Sequence, residues 1–128
     1  MNVLILTAST GGGHIRASNA LKNYFKEKDK AINVNVVDTF KYINPLLNKT
    51  VTNGYLYLAK KTPKLYGKLY KLSNDKPIMD NYVNRMNSIF ARKLMPLIEG
   101  FKPQIILTTH PFSTEMIAYL KGKNRINV

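Results

Sequence analysis

Residues 2–14 read NVLILTASTGGGH, from Asn2 to His14, and this stretch decides the fold. Asn2 to Ala8 is a short, nearly continuous apolar run rich in branched residues. A strand buried on both faces of a parallel sheet has that composition. The run ends at Ser9-Thr10-Gly11-Gly12-Gly13, which predicts a turn. From His14 to Asp29 the residues Ile15, Ala17, Ala20, Leu21, Tyr24 and Phe25 recur at helical spacing, with Lys22, Lys26 and Lys28 among the polar positions. Ile32 to Asp38, INVNVVD, reads as a second strand. Strand, tight turn, helix and strand in this order form a βαβ unit. The expected class is therefore α/β, with a Rossmann-like parallel sheet.

The rest of the chain extends that pattern. Thr39 to Thr50 carries Asn44-Pro45 and is predicted to be irregular. Asn53 to Ser73 reads as helix, interrupted near Thr62-Pro63, where Thr62 can cap a new helix and Pro63 suits its first turn. Pro77 to Ile98 is a third helical stretch, ended by Gly100 and Pro103. Gln104 to Thr109, QIILTT, is another buried strand. His110-Pro111 makes the next turn, and Phe112 to Leu120 a short helix. Arg125 to Val128 reads as the beginning of one more strand. An α/β domain rarely finishes on such a strand. The expectation is that residues 1–128 are the front part of a larger protein or one subunit of a split one.

Composition narrows the function classes. The chain has 128 residues, one domain by size, and 45% of them are hydrophobic, which excludes a disordered tail. It has no cysteine, so disulfides, Cys-ligated zinc and thiol catalysis are excluded. Twenty Lys and Arg against seven Asp and Glu give a net charge of +13. Such a surface suits an anionic partner: nucleic acid, a phosphorylated ligand or acidic lipid. The 16 Lys against 4 Arg also fit an A/T-rich coding bias, although that bias leaves the scarcity of acidic residues unexplained. No apolar run approaches the ~18 residues of a spanning helix. Met1 to Leu6 lacks the basic and cleavage features of a signal peptide. A cytosolic protein is the default expectation.

The strongest local signal is Thr7-Ala-Ser-Thr-Gly-Gly-Gly-His14 between a strand and a helix. Each glycine costs roughly 0.5–1 kcal/mol to order relative to alanine, so bare backbone at Gly11, Gly12 and Gly13 calls for a reason. Their amides, with the positive end of the following helix, form a seat for phosphate or another oxyanion. A flexible turn is the plainer reading. The loop is not a Walker A loop, since no Gly-Lys-Ser/Thr follows. Nor does it fit G-x-G-x-x-G, because the sixth position from Gly11 is Arg16. Asp38 stands where a ribose-binding acid would sit, without the glycine pattern that usually accompanies one. His14 follows the glycines at the helix N-terminus, which favours an uncharged imidazole. A neutral ring aimed at a pocket can accept a hydroxyl proton as a general base. His110 also follows a strand, and in a parallel sheet that end lies on the same side as the glycine loop. The two histidines could thus face one cleft, although Pro111 could equally fix His110 as a turn residue. Two histidines without carboxylates placed beside them make no metal site, and none is expected.

The third feature is a basic amphipathic region at about residues 50–98. From Tyr55 to Lys93 there are nine basic and two acidic residues, a net +7. On a helical wheel Lys61, Lys64, Lys68 and Lys71 share one side, and Leu65, Tyr66, Leu69, Tyr70 and Leu72 the other. Lysines with interleaved tyrosines suit the interface of an anionic membrane. An ordinary surface helix packed on a core makes the same pattern. No nucleic-acid recognition motif accompanies the charge.

Three stretches carry a resemblance: NVLILTASTGGGHIRASNAL at the start, YLYLAKKTPKLYGKLYKLSN in the middle and IILTTHPF later. Together they resemble the N-terminal domain of the monogalactosyldiacylglycerol synthase and diacylglycerol glucosyltransferase family. These are GT-B glycosyltransferases, distantly similar to the enzyme that adds N-acetylglucosamine to the peptidoglycan lipid intermediate. The resemblance covers essentially the whole chain. It implies an inverting transfer of a hexose from a UDP-sugar to the hydroxyl of diacylglycerol, by a peripheral enzyme on the cytoplasmic face of an anionic membrane. It implies that His14 is the base, that Gly11, Gly12 and Gly13 line the acceptor side of the cleft, and that no cofactor is permanently bound. Residues 1–128 would then be a partial acceptor-binding domain, with the nucleotide-sugar site mostly in a further domain or partner chain. Alone it would lack transferase activity. Two alternatives stay open: a non-catalytic membrane-docking subunit of a split glycosyltransferase, and an unrelated phosphate- or nucleic-acid-binding Rossmann-like module.

Overall fold

The computed structural model describes residues 1–9, 12–44 and 87–128. The predicted membrane-facing residues Lys61, Lys64, Lys68, Lys71, Tyr66 and Tyr70 lie outside the described residues, as does Gly11. The described chain runs β1 (Asn2–Thr7), α1 (Gly12–Lys28), β2 (Asn33–Asp38), α2 (Thr39–Ile43), a helical stretch at residues 87–93, α3 (Met95–Phe101), β3 (Ile105–Thr108) and α4 (Pro111–Gly122). The three strands form one parallel sheet in the order β2-β1-β3. The α/β Rossmann-like class is thus what the sequence predicted.

The central strand explains itself. Val3 to Leu6 are wholly buried because both faces of β1 are covered. Successive strand side chains point to opposite faces. Val3 and Ile5 join Val34 in one apolar cluster, against which Leu21 and Phe25 of α1 pack. Leu4 and Leu6 join Ile43, Ala91, Leu94, Ile98, Met116 and Leu120 in the other. The result is a layer of helix, a layer of sheet and a second layer of helices.

Five features differ from expectation. Gly12 and Gly13 form the first turn of α1, where a loop was expected. Thr39 to Ile43 is helical where irregular chain was expected, because Asp38 caps it by accepting from the Lys41 amide and because Phe40 and Ile43 are buried. The predicted helix through Ile98 breaks: Leu94 is a turn residue, and α3 restarts with Pro96 in its first turn, where no amide hydrogen is needed. Gly100 is inside α3, and Lys102 ends it in the left-handed conformation (φ 50°) with its amide bonded to the Ile98 carbonyl. Arg125 to Val128, expected as a strand, has no regular structure. The Arg125 amide bonds the Leu120 carbonyl at 2.9 Å, extending the helix cap, and Ile126 packs on the larger apolar cluster.

Topology fixes where chemistry can occur. In the parallel register Thr7 pairs with Asp38, and Leu6 with Thr108. The three strand ends are therefore level at one edge of the sheet. The chain leaves β1 on one side for β2 and returns on its other side as β3. The edge between β1 and β3 is thus a topological switch point, the crevice in which open α/β sheets take ligands.

Candidate functional site: two histidines at the sheet edge

His14 and His110 meet at that switch point. Their ring centroids are 4.6 Å apart, edge to face. His14 arrives in the first turn of α1, after β1. His110 follows β3 and caps α4. Ninety-six positions of sequence are bridged by one sheet edge. The two rings are in contact at one sheet edge, as the parallel topology implied.

Main-chain groups set the two tautomers in opposite senses. His14 Nδ1 lies 2.5 Å from the carbonyl oxygen of Thr109. A carbonyl only accepts, so in the neutral ring Nδ1 carries the hydrogen and Nε2 the lone pair. His110 Nδ1 accepts from the Phe112 amide at 3.1 Å. In neutral His110 the hydrogen is therefore on Nε2. The site thus holds His14 with its lone pair on Nε2 beside His110 with its hydrogen on Nε2.

His110 is held neutral. Burial pushes its pKa below the ordinary 6.5, the nearby His14 adds to the lowering, and Asp38 partly opposes it. The burial is aromatic: the Phe40 ring is 5.9 Å from His110 and stacks on Phe112 at 4.3 Å. A histidine whose folded pKa is depressed loses stability as pH falls. Below 6.5 the unfolded chain takes up a proton that the folded chain refuses. Stability should therefore drop as pH is lowered from about 7.5 to about 5.5. His110→Asn keeps a capping side chain but removes the titration. Thermal melts of the two proteins across that range should show a shallower pH dependence in the variant. Equal slopes would contradict the assignment.

Asp38 is the residue whose place in this site the sequence left undecided. One carboxylate oxygen caps α2, accepting from the Lys41 amide at 3.2 Å. The other is buried without a hydrogen-bond partner among the described residues. Its signal was only its place at the end of a strand. Gly12 and Gly13 sit at the helix N-terminus beside His14. A Cβ built on Gly13 would meet nothing within 4 Å, and one on Gly12 only the Arg16 Nε at 4.0 Å. Nothing within the described protein requires bare backbone at these two positions. A shallow depression of about 400 Å³ opens against His110, lined by Thr108, Thr109, Pro111, Thr114 and Glu115. A larger cavity of about 580 Å³, lined by Arg92, Glu99, Tyr119 and Arg125 among others, contains neither histidine. Among the described residues no group of three or more His, Cys, Asp or Glu could hold a metal ion, and no helix is long and apolar enough to cross a membrane.

The chain is 36% identical over 132 residues to a processive diacylglycerol beta-glucosyltransferase of Bacillus mycoides (strain KBAB4), an alignment covering 98% of this chain and 31% of that protein. It is 36% identical over 115 residues to the protein of the same description in Bacillus thuringiensis (strain Al Hakam), covering 85% and 28%. It is 28% identical over 111 residues to monogalactosyldiacylglycerol synthase 2, chloroplastic, of Arabidopsis thaliana, covering 86% and 24%. The chain thus spans about a quarter to a third of the length of these relatives. No solved structure matches it significantly. Residues 14–128 match the model of the family described as monogalactosyldiacylglycerol (MGDG) synthase. With nearly the whole chain matched and a Rossmann-like sheet to carry the match, this protein belongs to the monogalactosyldiacylglycerol synthase family.

Proposed function

We propose that this chain is the acceptor-binding part of a glycosyltransferase that moves a hexose from a UDP-sugar to diacylglycerol, with inversion, at the cytoplasmic face of an anionic membrane. The observation that carries the reading is the bond between His14 Nδ1 and the Thr109 carbonyl. It commits the ring to one tautomer and turns Nε2 into a proton acceptor at the switch-point crevice. The relatives supply the substrate class, since they are named for diacylglycerol glycosylation.

The step balances as a single displacement. The acceptor oxygen forms a bond to the anomeric carbon. The bond from that carbon to the leaving phosphate oxygen breaks, and UDP departs with the electron pair. The hydroxyl proton goes to His14 Nε2. Holding the hydroxyl beside its base converts an encounter into an oriented step, and proton removal contributes roughly 10²–10⁴-fold. The first-turn amides of Gly12 and Gly13 lack helical partners, and the missing side chains leave room for an oxygen anion to approach them. His110, as a neutral Nε2–H donor, is assigned to the same acceptor or phosphate oxygens. The nucleotide-sugar site is assigned mostly to the part of the relatives' length that this chain does not span. The lysines and tyrosines at 61–71 are assigned to the membrane surface.

The test is a transfer assay with UDP-glucose and UDP-galactose on vesicles containing diacylglycerol, with and without anionic lipid, and with the sugar-nucleotide half present. A glycosylated diacylglycerol should form, faster on anionic vesicles, and the rate should fall as salt is raised. Absence of any glycolipid product with either donor would refute the assignment.

A further inference from the structure

Thr109 stands one residue beyond β3. Its amide still donates to the Leu6 carbonyl at 3.0 Å, so the sheet holds its backbone in place. Its own carbonyl is turned to the ring of His14. Its hydroxyl donates to Thr7 Oγ1 at 2.9 Å and lies 3.2 Å from the His14 main-chain carbonyl. One helical turn past His14, Ser18 Oγ lies 2.8 Å from Thr109 Oγ1 and donates to the same His14 carbonyl at 3.0 Å. Thr7 and Ser18 are fully buried. His14 is thus held at two points: the Thr109 carbonyl bonds its ring, and the Ser18 hydroxyl, in contact with Thr109 Oγ1, bonds its main-chain carbonyl.

Three hydroxyls at the α1–sheet contact need an explanation, because burying them is costly unless they are bonded to one another. Neither the α1 ladder nor the β3 ladder depends on them. Their common effect is to fix the distance between the Thr109 carbonyl and the His14 ring. That distance controls the tautomer. Were the hydrogen on Nε2, a lone pair of Nδ1 would point at a carbonyl oxygen, and the two would repel. The closer the carbonyl is held, the more completely the Nδ1–H form is selected.

We propose that Thr109 and Ser18 are positioning residues that lock His14 in the Nδ1–H tautomer and so present Nε2 to the acceptor hydroxyl. The functional half of this statement rests on the reading of His14 as the base, but the tautomer can be measured without any transfer reaction.

The test uses the protein labelled with ¹⁵N in its histidines and long-range ¹H–¹⁵N correlation spectra at a pH where both rings are neutral. In the unaltered protein His14 should be the Nδ1–H tautomer and His110 the Nε2–H tautomer, a contrast within one spectrum. In Thr109→Val the two His14 nitrogens should move towards averaged values, while His110, set by the Phe112 amide, keeps its pattern. In the transfer assay the same variant should lose on the order of ten- to a hundredfold in kcat with little change in KM. Thr109→Ser, which keeps the hydroxyl, should restore both the spectrum and the rate. Should Thr109→Val fail to fold, Ser18→Ala carries the same spectral expectation. A folded Thr109→Val or Ser18→Ala protein with His14 still wholly Nδ1–H would overturn the proposal, as would mixed tautomers in the unaltered protein. A locked His14 in a protein without transfer activity would sink the base assignment and leave the positioning inference standing.

Discussion

On the proposed assignment of His14 as general base, replacing it by alanine should lower glycosyl transfer by roughly 10²–10⁴-fold while leaving binding to diacylglycerol vesicles nearly intact. The separation of the two effects follows from position. His14 touches the sheet edge through its ring, at Thr109, and through its backbone, at Thr109 and Ser18. The lysine-rich residues assigned to the membrane are in another part of the chain. His14→Ala removes only the ring. It leaves the α1 backbone, the Thr109 hydroxyl and the neighbouring His110 cap in place, so the fold should survive and vesicle flotation should be unchanged. Asparagine at position 14 can hydrogen-bond the Thr109 carbonyl but offers no proton acceptor of comparable basicity. It should therefore be nearly as slow as alanine. Rates within about threefold of the unaltered enzyme in both variants would remove the base from the mechanism, since that is far below what proton removal supplies.

The second large effect concerns the scaffold that brings the two histidines together. Leu4 lies at the centre of β1 and is wholly buried. It shares an apolar cluster with Leu94, Ile98, Met116 and Leu120, which come from the turn residue before α3, from α3 itself and from α4. Leu4→Ala removes the transfer energy of the lost side-chain carbons and leaves a cavity that a central strand, paired on both sides, cannot collapse to fill. A loss of about 3–5 kcal/mol is expected, the upper part of the range for such substitutions. Denaturant unfolding followed by circular dichroism would measure it as a lower midpoint at unchanged slope. A loss under about 1 kcal/mol would mean that this face of β1 is not the packed core described, since deletions of that size are felt wherever packing is tight.

Much of this scaffold was legible from residues. β1 was visible because a strand buried on both faces must be apolar at every position, and Val3 to Leu6 satisfy that without alternation. α1 and β2 followed from periodicity, and their observed ends fall within two residues of expectation. α2 was not legible, because five residues are too few for a helical period. Its determinant is a single capping bond from Asp38, which looks in sequence like any acid at the end of a strand. The break at Leu94 was written in Pro96 but was outvoted by the apolar spacing around it, and packing of Ala91 and Ile98 into one cluster shows that both helical segments still serve the same core. The stretch at 125–128 has strand composition without a partner strand among the described residues, and composition alone does not close a ladder.

The site divides in the same way. That His14 and His110 lie at one edge followed from parallel topology, which needs no side-chain detail. The triple glycine marks the strand end beside the two histidines, but Gly12 and Gly13 are the first turn of a helix and not a loop. The tautomers could not be read. The partner of His14 Nδ1 is a main-chain carbonyl 95 residues away, and every residue carries a carbonyl. In sequence Thr108 and Thr109 are only the last two residues of the predicted strand QIILTT. In the structure Thr109 is the residue that grips the candidate base.

The most direct test is a structure of this protein bound to a short-chain diacylglycerol. The account places the free hydroxyl oxygen of the lipid about 2.6–3.2 Å from His14 Nε2, the reach of a general base, with Nδ1 still on the Thr109 carbonyl. A hydroxyl bound elsewhere, or a ring turned so that Nε2 meets Thr109 and Nδ1 faces the lipid, would contradict it.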